Sequence, residues 1–332
     1  MNIKIPKESY PTPFPENEYN TMIDTVIAEW LPCVSNNFME SYDGMKINYY
    51  HASPDNPQGM ILFIHGFGEF HAKYHELSYL FYQAGYAFVF PELRGHGLSG
   101  REVEDPDIVH VDSYNKYVKD IHQLCDSILT PMAKRLSVPI YVFAHSMGGA
   151  ITCLYLEKYP DYFQKAVLSV PMLKIKKKTS DAASLLALTF LKLLGKNKQL
   201  APTQTPFDEN PNFEESNCLS RARYFYTFNK RLEFKEYRTQ AGSTGWLYAS
   251  IKAIKQLQKN TDKIKTPILL FQAGIDPLVD ETGQNEFIRK VSQHNEIQVK
   301  KFKNAKHELY SDTHETISEY LHMTLEFLED WG

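Results

Sequence analysis

The chain has 332 residues, with 36 Lys and Arg against 40 Asp and Glu, 43% hydrophobic residues, 16 Gly and 18 Pro. That is material for one large α/β domain carrying an insertion, and it excludes a disordered chain or a collagen-like fibre. A formal net charge of −4 gives no basic field for a nucleic-acid partner.

Cys33, Cys125, Cys153 and Cys218 lie far apart with no CxxC pair. This argues against a zinc site and a disulfide framework, and fits a reducing compartment. The opening MNIKIPKESYPTPFPENEYN lacks the apolar stretch of a secretory leader. No run reaches the roughly 20 apolar residues of a membrane span. The expectation is a soluble, cytoplasmic protein.

Residues 1–35 read as an extension packed on the core. From about Met45, short apolar runs alternate with longer amphipathic ones. MKINYYH (45–51) alternates and suits a sheet margin, whereas MILFIHG (60–66) and YAFVFPE (86–92) are nearly continuous in apolar character. Such runs are expected where helices cover both faces of a sheet. In 111–130, Tyr114, Tyr117, Val118, Ile121, Cys125 and Ile128 recur at helical spacing. PIYVFAHS (139–146), KAVLSVP (165–171) and PILLFQAG (267–274) are further strands, and IQVKKFK (297–303) is a second margin. His314 to Trp331 reads as a closing helix. The alternation predicts an α/β fold with a mainly parallel, doubly wound sheet.

The alternation breaks between Leu173 and about Gly245, where no clear strand occurs. Residues 174–245 therefore read as a helical cap, with 36–173 and 246–332 forming the core. Such an insertion covers the strand C-termini, where open α/β sheets hold their ligands.

Three motifs carry chemistry. Ala144-His145-Ser146-Met147-Gly148-Gly149 follows the strand PIYVF and precedes a helix. A serine hydroxyl is a weak nucleophile, so it needs exposure on a tight turn, an adjacent base and donors for the developing oxyanion. Ala144 stands where this pattern has its first glycine. Phe63-Ile64-His65-Gly66-Phe67-Gly68-Glu69 ends another strand; Phe67 and Met147 are the expected backbone donors of an oxyanion hole. His65 and Glu69 read as loop-fixing residues. C-terminally, ILLFQAGIDPLVD and KNAKHELYSD offer Asp276 as the acid and His307 as the base, in the order Ser146, Asp276, His307. Asp280 is the rival acid. A fourth run, Pro91 to Gly100, has three glycines but reads as a structural loop bracing the site floor, not as a phosphate cradle.

Taken in order, HGFGEF, KYHEL, ELRGHGLSGR, AHSMGGAI, SVPML, GSTGWLYASIKA, ILLFQAGIDPLVD and KNAKHE resemble the monoacylglycerol lipase/lysophospholipase family of α/β-hydrolases, bacterial lysophospholipases above all. The resemblance implies an eight-stranded, mainly parallel sheet with a helical cap between the sixth and seventh strands. It implies hydrolysis of one acyl ester of a monoacylglycerol or lysophospholipid, without a cofactor; the residues themselves offer no HExxH run or comparable cluster for a metal. By it, Ser146, Asp276 and His307 form the triad, and Phe67 and Met147 the oxyanion hole. Glu92 departs from the Asp usual in the D-x-R-G-H-G loop, and Pro277 follows the acid.

Ala182 to Leu194 is apolar almost all round, flanked by Lys174, Lys176, Lys177, Lys178, Lys196 and Lys198. Such a helix is buried in protein or in lipid. One expectation makes it the wall of an acyl-chain pocket, with Leu186 and Phe190 touching substrate, and a lip facing anionic membrane at its inner surface. The other packs it on the core beside a solvated lysine run. Two further functional readings stay open: a carboxylesterase or thioesterase for smaller acyl groups, and a non-catalytic binder of hydrophobic ligands. Head group, acyl length and oligomeric state are not legible in the sequence.

Overall fold

The computed structural model describes residues 9–202 and 204–330. Met1 to Glu8 of the expected extension, and Trp331 of the expected closing helix, lie outside the described residues. Eight strands run in chain order: β1 (Ser35–Glu40), β2 (Lys46–Ala52), β3 (Gly59–Ile64), β4 (Tyr86–Pro91), β5 (Ile140–His145), β6 (Lys165–Ser169), β7 (Ile268–Ala273) and β8 (Ile297–Phe302). They form one sheet in the order β1-β2-β4-β3-β5-β6-β7-β8. β2 runs against β1 and β4, and every other pairing is parallel. The sheet is therefore mostly parallel, as the alternation predicts. IQVKKFK is a margin, but MKINYYH sits one place in, because SNNFME pairs outside it as β1. That strand carries no apolar run, and only Met39 in it is buried.

The flanking helices are α1 (His75–Gln83), α2 (Tyr114–Leu124), α3 (Met147–Lys158), α4 (Asp181–Leu193), α5 (Arg221–Glu233), α6 (Thr244–Leu257), α7 (Glu281–Val291) and α8 (His314–Glu329). Strand side chains alternate between two cores. Met60, Leu62 and Ile64 of β3 and Val142 and Ala144 of β5 face α2, α3, α6 and α7. Ile61, Phe63, Tyr141 and Phe143 face α1, α8 and an N-terminal segment that buries Tyr10, Phe14, Ile27 and Trp30. Among the described residues no helix is long and apolar enough to cross a membrane.

Between β6 and β7 lie α4, α5, α6 and long irregular connections, together with a short strand the sequence reading did not expect, Ala241–Gly242, paired in parallel with Ile108–Val109 in a separate two-stranded sheet. Serine side chains set the helix starts here: Ser180, Ser220 and Ser243 accept from backbone N–H groups in the first turns of α4, α5 and α6. α4 packs against α6, and only Leu188 of α4 is buried. α5 is tied down by Arg223, which donates to both oxygens of Glu76 on α1 at 2.6 and 2.7 Å and to the Phe14 carbonyl at 2.8 Å. Its remaining terminal nitrogen lies 3.3 Å from Glu16. The guanidinium thus joins this helix to α1 and to the start of the chain.

Candidate active site

Ser146 is the residue between β5 and α3, with φ 50° and ψ −115°. For a side chain with a Cβ this conformation costs of order 1–3 kcal/mol, and it is held by surrounding contacts. The Ser146 N–H donates to the Ser169 carbonyl at 3.0 Å, and its carbonyl accepts from Met172 at 2.8 Å. Gly148 lets α3 begin against the sheet: a Cβ there would stand 2.0 Å from the Ile64 carbonyl oxygen. Ala144, by contrast, is buried in the core without needing glycine.

The structure brings Ser146, Asp276 and His307 together. Ser146 Oγ lies 2.8 Å from His307 Nε2, and His307 Nδ1 lies 2.6 Å from Asp276 Oδ2. The other oxygen of Asp276 accepts from the N–H groups of Leu278 and Val279 at 2.7 and 2.9 Å. Burial opposes ionisation of Asp276, but the hydrogen bond and charge of His307 with these two N–H groups outweigh it and hold the carboxyl below its usual range. An ionised carboxylate only accepts, so Nδ1 carries the ring proton and Nε2 faces the serine hydroxyl as acceptor. A proton can pass along this chain from hydroxyl to imidazole. The rival Asp280 instead caps α7 through the Thr282 N–H and pairs with Lys174 at 2.9 Å.

Met147 opens α3, where first-turn N–H groups have no helical partner. Phe67 shares a cavity of about 600 Å³ with Ser146 and His307. Its ring packs on Trp246 at 4.3 Å, fixing the loop from α6. Gly68 has φ 69°, a left-handed turn, and its carbonyl meets α5. Glu69, fully buried, accepts from the Gly66 N–H at 2.5 Å, from the Tyr74 hydroxyl at 2.6 Å, and from the Tyr310 hydroxyl. Burial resists its charge, yet His145 at 3.2 Å and Lys73 at 3.4 Å keep it ionised, well below the usual carboxylate range. It is a loop-fixing group, as the sequence suggests. His65 pins the same loop: Nδ1–H donates to the Gly66 carbonyl at 2.7 Å and Nε2 accepts from the Leu93 N–H at 2.9 Å. His145 is occupied by Glu69 and by the His307 carbonyl, away from the serine hydroxyl.

The Pro91 to Gly100 run holds no space for phosphate, although Gly95, Gly97 and Gly100 have G-x-G-x-x-G spacing. Glu92 fills it: its carboxylate accepts from the Leu98 and His71 N–H groups at 2.7 and 3.2 Å and from the Asn48 amide at 3.0 Å. Glu102, His110 and Asp112 bring ligand atoms within 4.8 Å of one another. Lys116 and Arg94 already engage Glu102 at 2.8 and 3.1 Å, so its charge is spent on ion pairs.

One expectation is corrected. Leu186 and Phe190 do not line the cavity above Ser146; they are 75% and 61% exposed. α4 buries only a narrow stripe on α6, and its other sides stay open. The cavity is walled instead by the irregular 204–218 segment and by α5. Sequence reading also missed Arg231 of α5, which donates to the Gly68 carbonyl at 2.8 Å across 163 positions. No local signal announces a contact of that kind.

Residues 55–314 match the family described as "Serine aminopeptidase, S33". The chain belongs to this α/β-hydrolase family. Within the α/β-hydrolases, it is 28% identical over 265 residues to the probable lysophospholipase L2 of Haemophilus influenzae, covering 76% of this chain and 81% of that one. Among solved structures, a thermostable carboxyl esterase from Bacillus coagulans aligns with TM-score 0.70 at 17% identity, covering 89% of this chain and 98% of that one. A monoacylglycerol lipase from Paleococcus ferrophilus aligns with TM-score 0.62 at 23% identity, covering 84% and 98%. The two structural likenesses speak to the α/β-hydrolase fold.

Proposed function

We propose that this α/β-hydrolase cleaves a single acyl ester of a lysophospholipid or monoacylglycerol through an acyl-enzyme on Ser146. The observation that carries the reading is the hydroxyl–imidazole–carboxylate chain, 2.8 and 2.6 Å long at its two links. The relative named as a probable lysophospholipase L2 supports the lipid ester. In the first half-reaction His307 takes the hydroxyl proton as Ser146 Oγ bonds to the acyl carbon. The N–H groups of Met147 and Phe67 receive the oxyanion. His307 then gives its proton to the glycerol oxygen, which leaves. In the second half, water loses a proton to His307, attacks the acyl carbon and frees the fatty acid and Ser146. Asp276 holds the imidazole in the tautomer both halves need.

The core of residues 36–173 and 246–332 supplies these groups, and the cap of 174–245 screens them. Leu186, Phe190, Leu193 and Leu194, 75%, 61%, 81% and 55% exposed, form an apolar face. In this reading that face rests on anionic membrane at its cytoplasmic surface, where the substrate is delivered.

The test is labelling with a fluorophosphonate together with a panel of monoacylglycerols, lysophospholipids, short esters, an acyl thioester and an aminoacyl amide. Labelling of Ser146 and preference for long acyl esters are expected, both lost in Ser146→Ala while the fold persists. Full long-chain activity in Ser146→Ala would falsify the assignment, and preference for acetate would replace the lipid by a smaller ester.

A further inference from the structure

The cavity above Ser146 is not the apolar slot a fatty chain alone would want. Gln204, Asn217, Gln240, Lys73 and Arg231 lie on its wall beside Phe207 and Phe228. Of its cations, Lys73 is satisfied within the protein, at 2.6 Å from Glu308 and 3.4 Å from Glu69. Arg223 is held by Glu76 and Glu16. Arg231 differs. Among the described residues no carboxylate lies within ion-pair distance of it.

Two neutral acceptors fix its guanidinium: Nη1 donates to the Gln240 side-chain oxygen at 2.7 Å and Nη2 to the Gly68 carbonyl at 2.8 Å. The rings of Phe207 and Phe70 lie 5.6 and 6.0 Å from its central carbon. Its Nε is buried with no hydrogen-bond partner. Arginine has five N–H donors in a rigid fork, so only part of this fork is used. Glu308 and Glu69 are near enough to favour its charge, but both are shared with Lys73, and burial outweighs them, pulling the guanidinium below its ordinary basicity. The lining acids Asp208 and Glu215 are exposed, where solvent screens them.

A half-buried guanidinium outside ion-pair distance of any carboxylate among the described residues, bonded to the carbonyl next to Phe67, calls for an anion. The glycerol of a lysophospholipid carries its phosphodiester three carbons from the acyl ester at most, whereas a monoacylglycerol offers hydroxyls alone. Phosphodiester oxygens match the arginine fork. We propose that Arg231 reads the headgroup, receiving the phosphodiester oxygens of a lysophospholipid whose acyl ester lies at Ser146. The site then favours lysophospholipids over monoacylglycerols. This rests on the ester-hydrolase reading and assigns its substrate.

The experiment compares kcat/KM for palmitoyl lysophosphatidylglycerol and monopalmitoylglycerol in the unsubstituted protein, Arg231→Met and Arg231→Lys. Loss of the bond to Gly68 lowers both activities. Loss of a charge-assisted bond to phosphate lowers the lysophospholipid by a further 10- to 100-fold or so, mainly in KM. Arg231→Lys is expected to restore part of that selective loss. Equal losses on both lipids would leave Arg231 as a brace of Gly68 only and overturn the proposal. Competition in the unsubstituted protein is an independent arm, open even if the variants fold poorly. Glycerophosphoglycerol should inhibit more strongly than inorganic phosphate. Equal inhibition by the two, with no preference between the lipids, would mark a free-anion site and sink the headgroup assignment. Fluorophosphonate labelling on the same samples separates the failures: an unlabelled Ser146 brings down the hydrolase reading itself.

Discussion

Asp276 divides its two oxygens between the loop that holds it and the imidazole it orients. An amide cannot serve both, because only one of its two ends accepts hydrogen bonds. Asp276→Asn is therefore expected to lower kcat by roughly 10³–10⁴-fold, with KM little changed. Fluorophosphonate labelling should slow in parallel. A loss below about 10-fold would remove Asp276 from the mechanism. At this scale the sequence is most informative where chemistry sits at strand ends. Ser146, Asp276 and His307 each follow a run read as a strand, so all three could be assigned to strand ends from order alone. Position alone separates Asp276 from Asp280 in the sequence; in the structure Asp276 meets His307, and Asp280 is taken up by the start of α7. Arg231 and Lys73 could not be found this way. Their meaning depends on which segment crosses the loop of Phe67, and periodicity carries no information about that.

Among the elements, α4 shows how far an apolar pattern can be read. Its composition announces a helix that needs covering, and the structure adds a cap at Ser180. What covers it is a tertiary matter: α6 takes only one stripe. The lysines beside it are also less free than their run suggests. Lys176 donates to the Asp276 carbonyl at 2.8 Å, and Lys177 pairs with Asp181 at 2.7 Å. Charge reversal at Lys176 would disturb the loop of Asp276, so the apolar face is the cleaner target. Leu186→Ser, Phe190→Ser and Leu193→Ser combined remove three side chains, each giving roughly 1 kcal/mol or more on leaving water. Co-sedimentation with vesicles of phosphatidylglycerol and phosphatidylcholine is expected to fall by about 100-fold. Undiminished co-sedimentation would mean that α4 does not meet the lipid surface. The polar edge strand β1 escaped the sequence reading for the opposite reason, since main-chain pairing and the single buried side chain of Met39 place it.

For the molecule as a whole, buried histidines set the response to acid. Burial pulls His65 down from 6.5 to about 4 and, with Lys230 nearby, His75 to about 3. Both therefore stay neutral in the fold while the unfolded chain takes up protons. Stability is complete above about pH 6.5, falls as pH drops below it, and for His65 levels off near 4 after a loss of about 3 kcal/mol. His145 opposes the trend: Glu69 raises its proton affinity against the effect of burial, so its contribution is present at low pH and lost on the alkaline side. Burial also pushes Glu157 up to about 7, on the same side as His145, but His71 and His96 are held low like His65 and His75, so four groups oppose two. Urea unfolding near pH 7.5 and near pH 5 should show the lower stability at the lower value, and equal stabilities would contradict this assignment of neutral histidines. The two-sided sheet was readable from its continuous apolar strands. The covering of one face by Tyr10, Phe14, Ile27 and Trp30 was readable only as an extension, because its partners α1 and α8 come later in the chain.

Arg223 and Arg231 stand two turns apart on one helix, the first gripping Phe14, Glu16 and Glu76, the second gripping Gly68. A rod clamped at both ends transmits displacement. Losing the contacts of Phe14 and Glu16 would free one clamp and let the other swing, so a cut near Phe14 would be felt as lost alignment of the loop of Phe67 and Gly68. The leading segment, remote from the chemistry in sequence, thereby serves as its mechanical anchor.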